Sequence, residues 1–328
     1  MLHRLIIGTL AIGLGWASIS GNAQTSWKPQ RNVEIVIGST AGTGPDRVAR
    51  IIQRIWREQK MMDAPSSVAN KPGGGGAVAW AYLNQHVGDG HYLLITSYNI
   101  VANHITGKSE LTWSDFTPIS LLITEYNGYY VRPDSPLTSV ADLVNGLKKD
   151  PGAFPIAVSS SAGGSVHIAV SLLLKAGAVD LRKVKVVVFP GANEVVTAVM
   201  GGHAGVGGAS AGSLAPHFKN GQIRVLAFAA PSRLGGIFAT IPTASEAGLR
   251  VTANNWRLVM APKGLTAAQT AYWDDAFRRL AASEIWEKEL EANHYSNNYL
   301  DSGQTTKYLG QQYGEVMQIL TEIGLAKK

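Results

Sequence analysis

From residue 33 to residue 261 the chain alternates short apolar, β-branched runs with longer stretches in which apolar positions recur every three or four residues. The short runs predict strands near Val33 to Gly38, His91 to Ser97, Ile119 to Thr124, Pro155 to Ser159, Val184 to Phe189, Arg224 to Ala229 and Arg257 to Ala261, with helices between most of them. Alternation of this kind indicates α/β layers with largely parallel sheets. Two extended stretches, Ile119 to Arg132 and Arg224 to Ala230, bracket a middle section able to form its own lobe and are expected to cross between two lobes. The division expected is residues 24–124 with 231–328 in lobe 1 and 125–230 in lobe 2. The last long helical pattern, Thr266 to Ala292, sets Ala268, Tyr272, Ala276, Leu280, Ile285 and Leu290 on one face, predicted to pack on the core.

The joins between strand and helix carry the candidate chemistry. In "STAGTGPDRVARIIQRI" (39–55) Pro45 suits a first helical turn, Thr43 or Gly44 suits the cap, and Val48, Ile51, Ile52 and Ile55 make a buried stripe. The first four amides of a helix lack internal partners and carry the positive end of its dipole, so a glycine-lined start lets an anion approach closely. The same glycines also permit a tight turn with no ligand at all. The construction recurs, however, at "VSSSAGGSVHIAVSLLLKAG", with Ser165 as the expected cap, and at "VVVFPGANEVVTAVMGG", where Asn193 is a ready N-cap. Ser97 and Asn99 follow a further strand end. Ligands of open α/β sheets gather at the carboxyl ends of strands, so loops of this kind from both halves point to one shared cleft. Each polar residue in them is either a ligand contact or a cap.

Composition narrows the setting. A chain of 328 residues with 45% apolar content can build a large core in two domains of ordinary size. Residues 1–23 combine Arg4, an apolar run from Leu5 to Ala17 and a small-residue site at Gly21-Asn22-Ala23, the pattern of a signal peptide cut near Ala23. The run is too short for a membrane span. With no cysteine there is neither a disulfide nor a lipid-anchor thiol, and a bacterial periplasm is the compartment expected. Removing Arg4, one of 29 basic residues, leaves 28 against 23 acidic, a charge of +5 that favours small anions. The basic residues are scattered, so nucleic acid is not expected as a partner.

The segments "GTGPDRVAR" (42–50), "NKPGGGGAVAWAYLN" (70–84), "GDGHYLL" (88–94), "DFTPISLL" (115–122), "SSSAGGSVH" (159–167), "MGGHAGVG" (200–207), "IPTASEAGL" (241–249) and "WRLVMAPKG" (256–264) occur in an order that resembles the Bug-type periplasmic receptors of tripartite tricarboxylate transporters. The resemblance covers nearly the whole mature chain. It implies a two-lobed α/β fold of the periplasmic-binding-protein, type II-like Venus flytrap class, with two β-sheet/helix lobes joined by two crossover strands. It also implies a small organic carboxylate (mono-, di- or tricarboxylate) as ligand and membrane permease subunits as partners, with the receptor itself a monomer. By that resemblance the contacts are Thr40, Gly42, Thr43, Ser160, Gly163 and Ser165, with Asp46 at the cleft edge and His167 as a possible donor. Asp46 has a second reading, a first-turn carboxylate serving its own helix dipole. His167 has one too, as a first-turn cap. "PGGGG" (72–76) reads mainly as a tight turn into a helix at Ala77.

Departures limit what transfers. Val188-Phe189-Pro190-Gly191 stands where many relatives carry Pro-Tyr-Lys-Gly, and Ala204 replaces a frequent acidic residue, so no named acid is carried over. Two other readings stay open: a ligand-sensing receptor for a signalling partner, and a hydrolase. "GASAG" (208–212) matches a nucleophile elbow at Ser210, with Asp274 or Asp275 and His294 following in hydrolase order. Those acids lie within a helical pattern rather than on a strand-end loop, which counts against a triad, and Ser210 is better placed as a loop hydroxyl near the cleft, a ligand contact. The histidines show no metal-ligand spacing, and the glycines at 42 and 44 lack the third glycine of a dinucleotide loop, so neither a metal nor a cofactor is expected.

Overall fold

The structure, a computed structural model, describes residues 27–159 and 161–327. The signal segment ending near Ala23 and the expected contact Ser160 lie outside the described residues.

The chain opens with β1 (Val33–Ile37), α1 (Gly44–Glu58), β2 (Ser66–Asn70), α2 (Ala77–Asn84), β3 (Tyr92–Ser97) and α3 (Asn99–Ile105), and then runs into the long β4 (Phe116–Val131). The middle section holds α4 (Val140–Lys149), β5 (Ile156–Ser159), α5 (Ser165–Ala176), β6 (Val186–Phe189), α6 (Ala192–Met200), β7 (Val206–Ser210), α7 (Ala211–Lys219) and β8 (Arg224–Phe228). The chain returns along β9 (Asn254–Pro262) to α8 (Ala267–Ala281), α9 (Glu284–Ala292), β10 (Ser296–Leu300) and α10 (Ser302–Glu322). The strands form one curled mixed sheet in the order β2-β1-β3-β9-β4-β7-β5-β6, with β10 and β8 also paired to β4.

The hinge of this arrangement is β4. Its residues Phe116 to Tyr126 pair with β9, and Asn127 to Val131 pair with β7 and β8, so one strand belongs to both halves. The extended run Ile119 to Arg132 forms most of β4, while β8 pairs with the far end of β4 and by a single bridge with Thr243, and the chain returns through Ala253, whose amide donates to the Ala229 carbonyl at 3.0 Å before β9 begins. The expected parallel pairing holds for β1 with β2 and β3 and for β5 with β6 and β7. Pairs made by β4 or β9 are antiparallel, because the crossing strands run against their neighbours in each half.

Each half buries apolar side chains on both faces of its sheet. In the first half α1 presses Val48, Ile52, Ile55 and Trp56 onto β1 and β3, and Trp56 stacks on Trp273 of α8 with ring centroids 5.8 Å apart. The opposite face is covered by α2, α3 and α10 through Trp80, Ile100, Leu309 and Leu320. In the second half α4 and α5 cover one face through Leu143, Leu147, Val170 and Leu173, and α6 and α7 the other through Val195, Val199 and Leu214. Ala244, Leu249 and Val251, which follow β8, pack into this second core.

The helix expected over Thr266 to Ala292 is broken at Ala282-Ser283, where the Ser283 hydroxyl accepts the Trp286 amide at 3.3 Å and starts α9. Ala276, Leu280 and Leu290 are buried as expected, but Trp273, Phe277 and Trp286 carry the buried face, while Ala268, Tyr272 and Ile285 are half-buried. Strand β7 reads Val-Gly-Gly-Ala-Ser, an unpromising strand sequence. The glycines are there for packing: a Cβ on Gly207 would lie 2.3 Å from Tyr130 of β4, and one on Gly208 2.7 Å from Val166 of α5.

Candidate functional site

Between the halves lies a cavity of about 720 Å³. Its walls are the loops that end β1, β3, β5, β6 and β7, together with the glycine turn at Pro72 to Gly76, and its floor is Glu125, Asn255 and Arg257 on the crossing strands.

Helix capping separates the helices around this cavity from the rest. On α4, α8, α9 and α10, which begin elsewhere, a side chain of the N-cap residue (Ser139, Thr266, Ser283, Asp301) accepts a first-turn amide. On α1, α2, α3, α5, α6 and α7 no N-cap side chain does so, and each of these helices contributes first-turn or cap residues to the cavity wall. An N-cap bond is worth about 1 kcal/mol, and leaving it out at every helix that opens on one space leaves first-turn amides there to other acceptors, which for Gly212 of α7 is the Glu125 carboxylate. The closeness is built in. A Cβ on Gly38 would lie 2.7 Å from the Cα of Gly76, so only glycine lets the end of β1 meet the turn before α2, and the side-chain amides of Asn99 and Asn103 hold that turn by donating to the Gly75 and Gly74 carbonyls at 3.2 and 2.9 Å.

Of the residues expected at the site, Gly42, Thr43, Ser97, Asn99, Ser165, Asn193 and Ser210 line the cavity. Thr40, Asp46, Gly163 and His167 stand outside its lining. Thr40 lies at the turn, where its carbonyl accepts the Thr43 hydroxyl at 2.8 Å. Asp46 is buried, and its carboxylate accepts from the Gly42 amide at 2.8 Å, Arg50 at 3.0 Å and Asn70 at 3.0 Å. Burial pushes this carboxyl up, but the bonds from Arg50, Gly42 and Asn70 outweigh it and hold the group below the usual carboxylate range. Asp46 thus fastens the loop rather than facing the cavity. Gly163, at φ +81°, spends its amide on Nδ1 of His167 at 2.9 Å. The helix boundaries also correct two expected caps: Gly164 precedes Ser165 as the N-cap of α5, and Gly191, not Asn193, caps α6.

Burial, assisted by the charge of Lys108, lowers the His167 pKa from 6.5 to about 4. Unfolded, the ring protonates near 6.5, so stability is complete above that pH and is lost as pH falls towards 4. The expected contribution lost by about pH 5 is about 2 kcal/mol. Urea unfolding at about pH 7 and about pH 5 should show His167→Asn, whose Oδ1 can replace the Nδ1 acceptor, losing that much less stability than the native chain; equal losses would refute the assignment.

The strongest charges at the site were not anticipated. Arg257 and Glu125 are 7% and 2% exposed, and the Arg257 Nη2 lies 3.1 Å from the Glu125 Oε2. Nη1 donates to the Asn255 Oδ1 at 2.7 Å and to the Trp256 carbonyl at 3.1 Å, and the Glu125 Oε1 accepts the Gly212 amide of α7 at 3.3 Å. A Cβ on Gly44 would sit 3.1 Å from the guanidinium, so the first turn of α1 abuts this cation. A lone charge in each of the apolar runs "LLITEYN" and "WRLVMAP" was the available signal. Arg47 and Glu194 complete the charged lining.

The hydrolase constellation is not assembled. Ser210 Oγ meets Ser213 Oγ at 3.1 Å, Asp274 accepts from Ser302, Asp275 pairs with Arg278 and Arg279, and the His294 ring packs edge-on against Phe238. Among the described residues no group of three or more His, Cys, Asp or Glu is placed to hold a metal, and no helix is long and apolar enough to cross a membrane.

Two α/β halves about a cleft, joined by crossing strands and lined by open helix starts, define a solute-binding protein of the two-lobed periplasmic class. The family model described as "Tripartite tricarboxylate transporter family receptor" matches residues 48–325, and the chain belongs to that family. It is 25% identical over 329 residues to a UPF0065 protein encoded in the gbd 5' region of Cupriavidus necator, covering 99% of this chain and 98% of that one. A UPF0065 protein of Bordetella bronchiseptica is 27% identical over 248 residues, 75% of this chain and 71% of that one. Among solved structures, a Rhodopseudomonas palustris protein with adipate superimposes with a TM-score of 0.80 at 22% identity, covering 91% of this chain and 99% of that one. The periplasmic binding protein BugD gives a TM-score of 0.77 at 18% identity, with coverage of 92% and 100%.

Proposed function

We propose that this chain is an exported periplasmic receptor that captures a small organic carboxylate between its lobes and delivers it to the membrane permease of a tripartite transporter. The observation that carries the reading is the convergence, on one cavity that both halves line, of six helix starts whose N-cap residues supply no side-chain acceptor, with Glu125 taking one amide of α7. Such donors suit a carboxylate, because charge-assisted bonds to amides satisfy groups that would otherwise be buried alone. The Rhodopseudomonas palustris neighbours solved with adipate and with malate support the ligand class. We take the lobes to divide where β4 changes partners near residue 126 and where β9 begins at 254; the burial of Ala244, Leu249 and Val251 in the second core supports moving the second boundary there from residue 230. Contacts to both walls form together only when the lobes are closed, so binding shifts the population towards closure.

A thermal-shift series of mono-, di- and tricarboxylates and aromatic acids tests this. A true ligand at about 100 times its Kd adds about 2.7 kcal/mol, several degrees of Tm for a chain of this size. Mass analysis should recover it unchanged. A panel in which no carboxylate raises Tm, or recovery of a converted product, would overturn the reading.

A further inference from the structure

Among the described residues the cavity lining holds four charged side chains, Arg47, Glu125, Glu194 and Arg257. Glu125 and Arg257 neutralise each other on the floor. That leaves Arg47, on the first-half wall in α1, and Glu194, on the second-half wall in α6, neither with an oppositely charged side chain within 4.0 Å among the described residues. The two walls therefore carry opposite charge.

They also differ at their helix starts. On the first half, the opening turn of α1 has no N-cap side-chain bond, its own acid Asp46 is turned away to Arg50 and Asn70, and Arg47 follows on the cavity wall, so helix dipole and cation act in the same sense on an incoming carboxylate. On the second half, Glu194 sits in the opening turn of α6 and folds back over it, close enough that a Cβ on Gly191 would be 2.7 Å from its Oε2. The amide end of α6 is thus met already by a carboxylate of the protein. A second carboxylate brought to that wall would face like charge in a site from which closure removes water, whereas an ammonium or amide N–H would find an acceptor.

We propose that Glu194 is a specificity-determining residue that makes this receptor select ligands with a carboxylate at one end and a cationic or hydrogen-bond-donating group at the other, and reject dicarboxylates. The proposal rests on the carboxylate-receptor reading.

The test is calorimetric titration of the mature chain and of Glu194→Gln with matched series of ω-aminoalkanoate, alkanoate and α,ω-dicarboxylate, one series at each chain length from about three to about six carbons. Glu194 is exposed, so the variant is expected to keep the native Tm, which a melt confirms before titration. In the native chain the amino member should bind at least about tenfold tighter than its dicarboxylate partner. In Glu194→Gln the dicarboxylate should gain about tenfold and the amino member lose about as much, with the alkanoate unchanged. Dicarboxylate preference in the native chain, or an unchanged ratio in the variant, overturns the role of Glu194 and leaves the carboxylate reading standing. Failure of every member of every series to bind the native chain overturns the role of Glu194, while the carboxylate reading falls only if the thermal-shift panel is also silent.

Discussion

Glu125→Ala is expected to destabilise the folded chain by about 3–5 kcal/mol, the cost of leaving one partner of a buried ion pair alone. Arg257 would keep its bonds to Asn255 and the Trp256 carbonyl but would hold a full charge, 7% exposed, with no counter-ion on the cavity floor. The Gly212 amide at the start of α7 would lose its acceptor in the same step. Urea unfolding measures the effect, and a melt should show a fall in Tm on the order of 10 °C. Adding Arg257→Met to Glu125→Ala should recover most of the loss, because removing both charges removes the uncompensated one. A single-variant loss below about 1 kcal/mol would mean that water in the cavity screens the pair as it would on a surface.

Ser165→Trp is expected to weaken carboxylate binding by about a hundredfold or more while leaving the fold intact. Ser165 opens α5 and is half-buried on the cavity wall. An indole there would occupy the space that closure must shrink, so the two walls would no longer reach one ligand together. Titration with whichever carboxylate gives the largest thermal shift provides the readout. Native affinity in a variant with native Tm would show that the ligand lies elsewhere.

The sequence disclosed the parts of the fold that rest on local chemistry. Pro45 and the stripe Val48, Ile51, Ile52 and Ile55 fixed α1, and the glycines at strand ends marked helix starts that the fold brings around one cavity. Features that depend on a distant partner were hidden. Half-buried β2 shows no alternation, β7 is written with two glycines whose reason is the Tyr130 ring and Val166, and β10 is an edge strand that pairs with β4 from far along the chain. The same holds at the site. Gly163 and His167 looked like two donors for a ligand because nothing local says that one bonds the other. Glu125 and Arg257 lie 132 residues apart, and only the pairing of β4 with β9 makes them one group.

On the proposed division of the lobes, β4 carries the chain into the second lobe and β9 carries it back, so that lobe is an insertion whose two ends adjoin. The Ala229 amide donates to the Asn127 carbonyl at 2.9 Å, and the Ala253 amide donates to the Ala229 carbonyl at 3.0 Å, so entrance and exit are separated by little more than one strand. A natural graft point follows: the segment between them is a cassette that a related receptor can donate or accept at two neighbouring splice sites, exchanging one jaw of the trap while the other keeps its own tryptophan-lined interior.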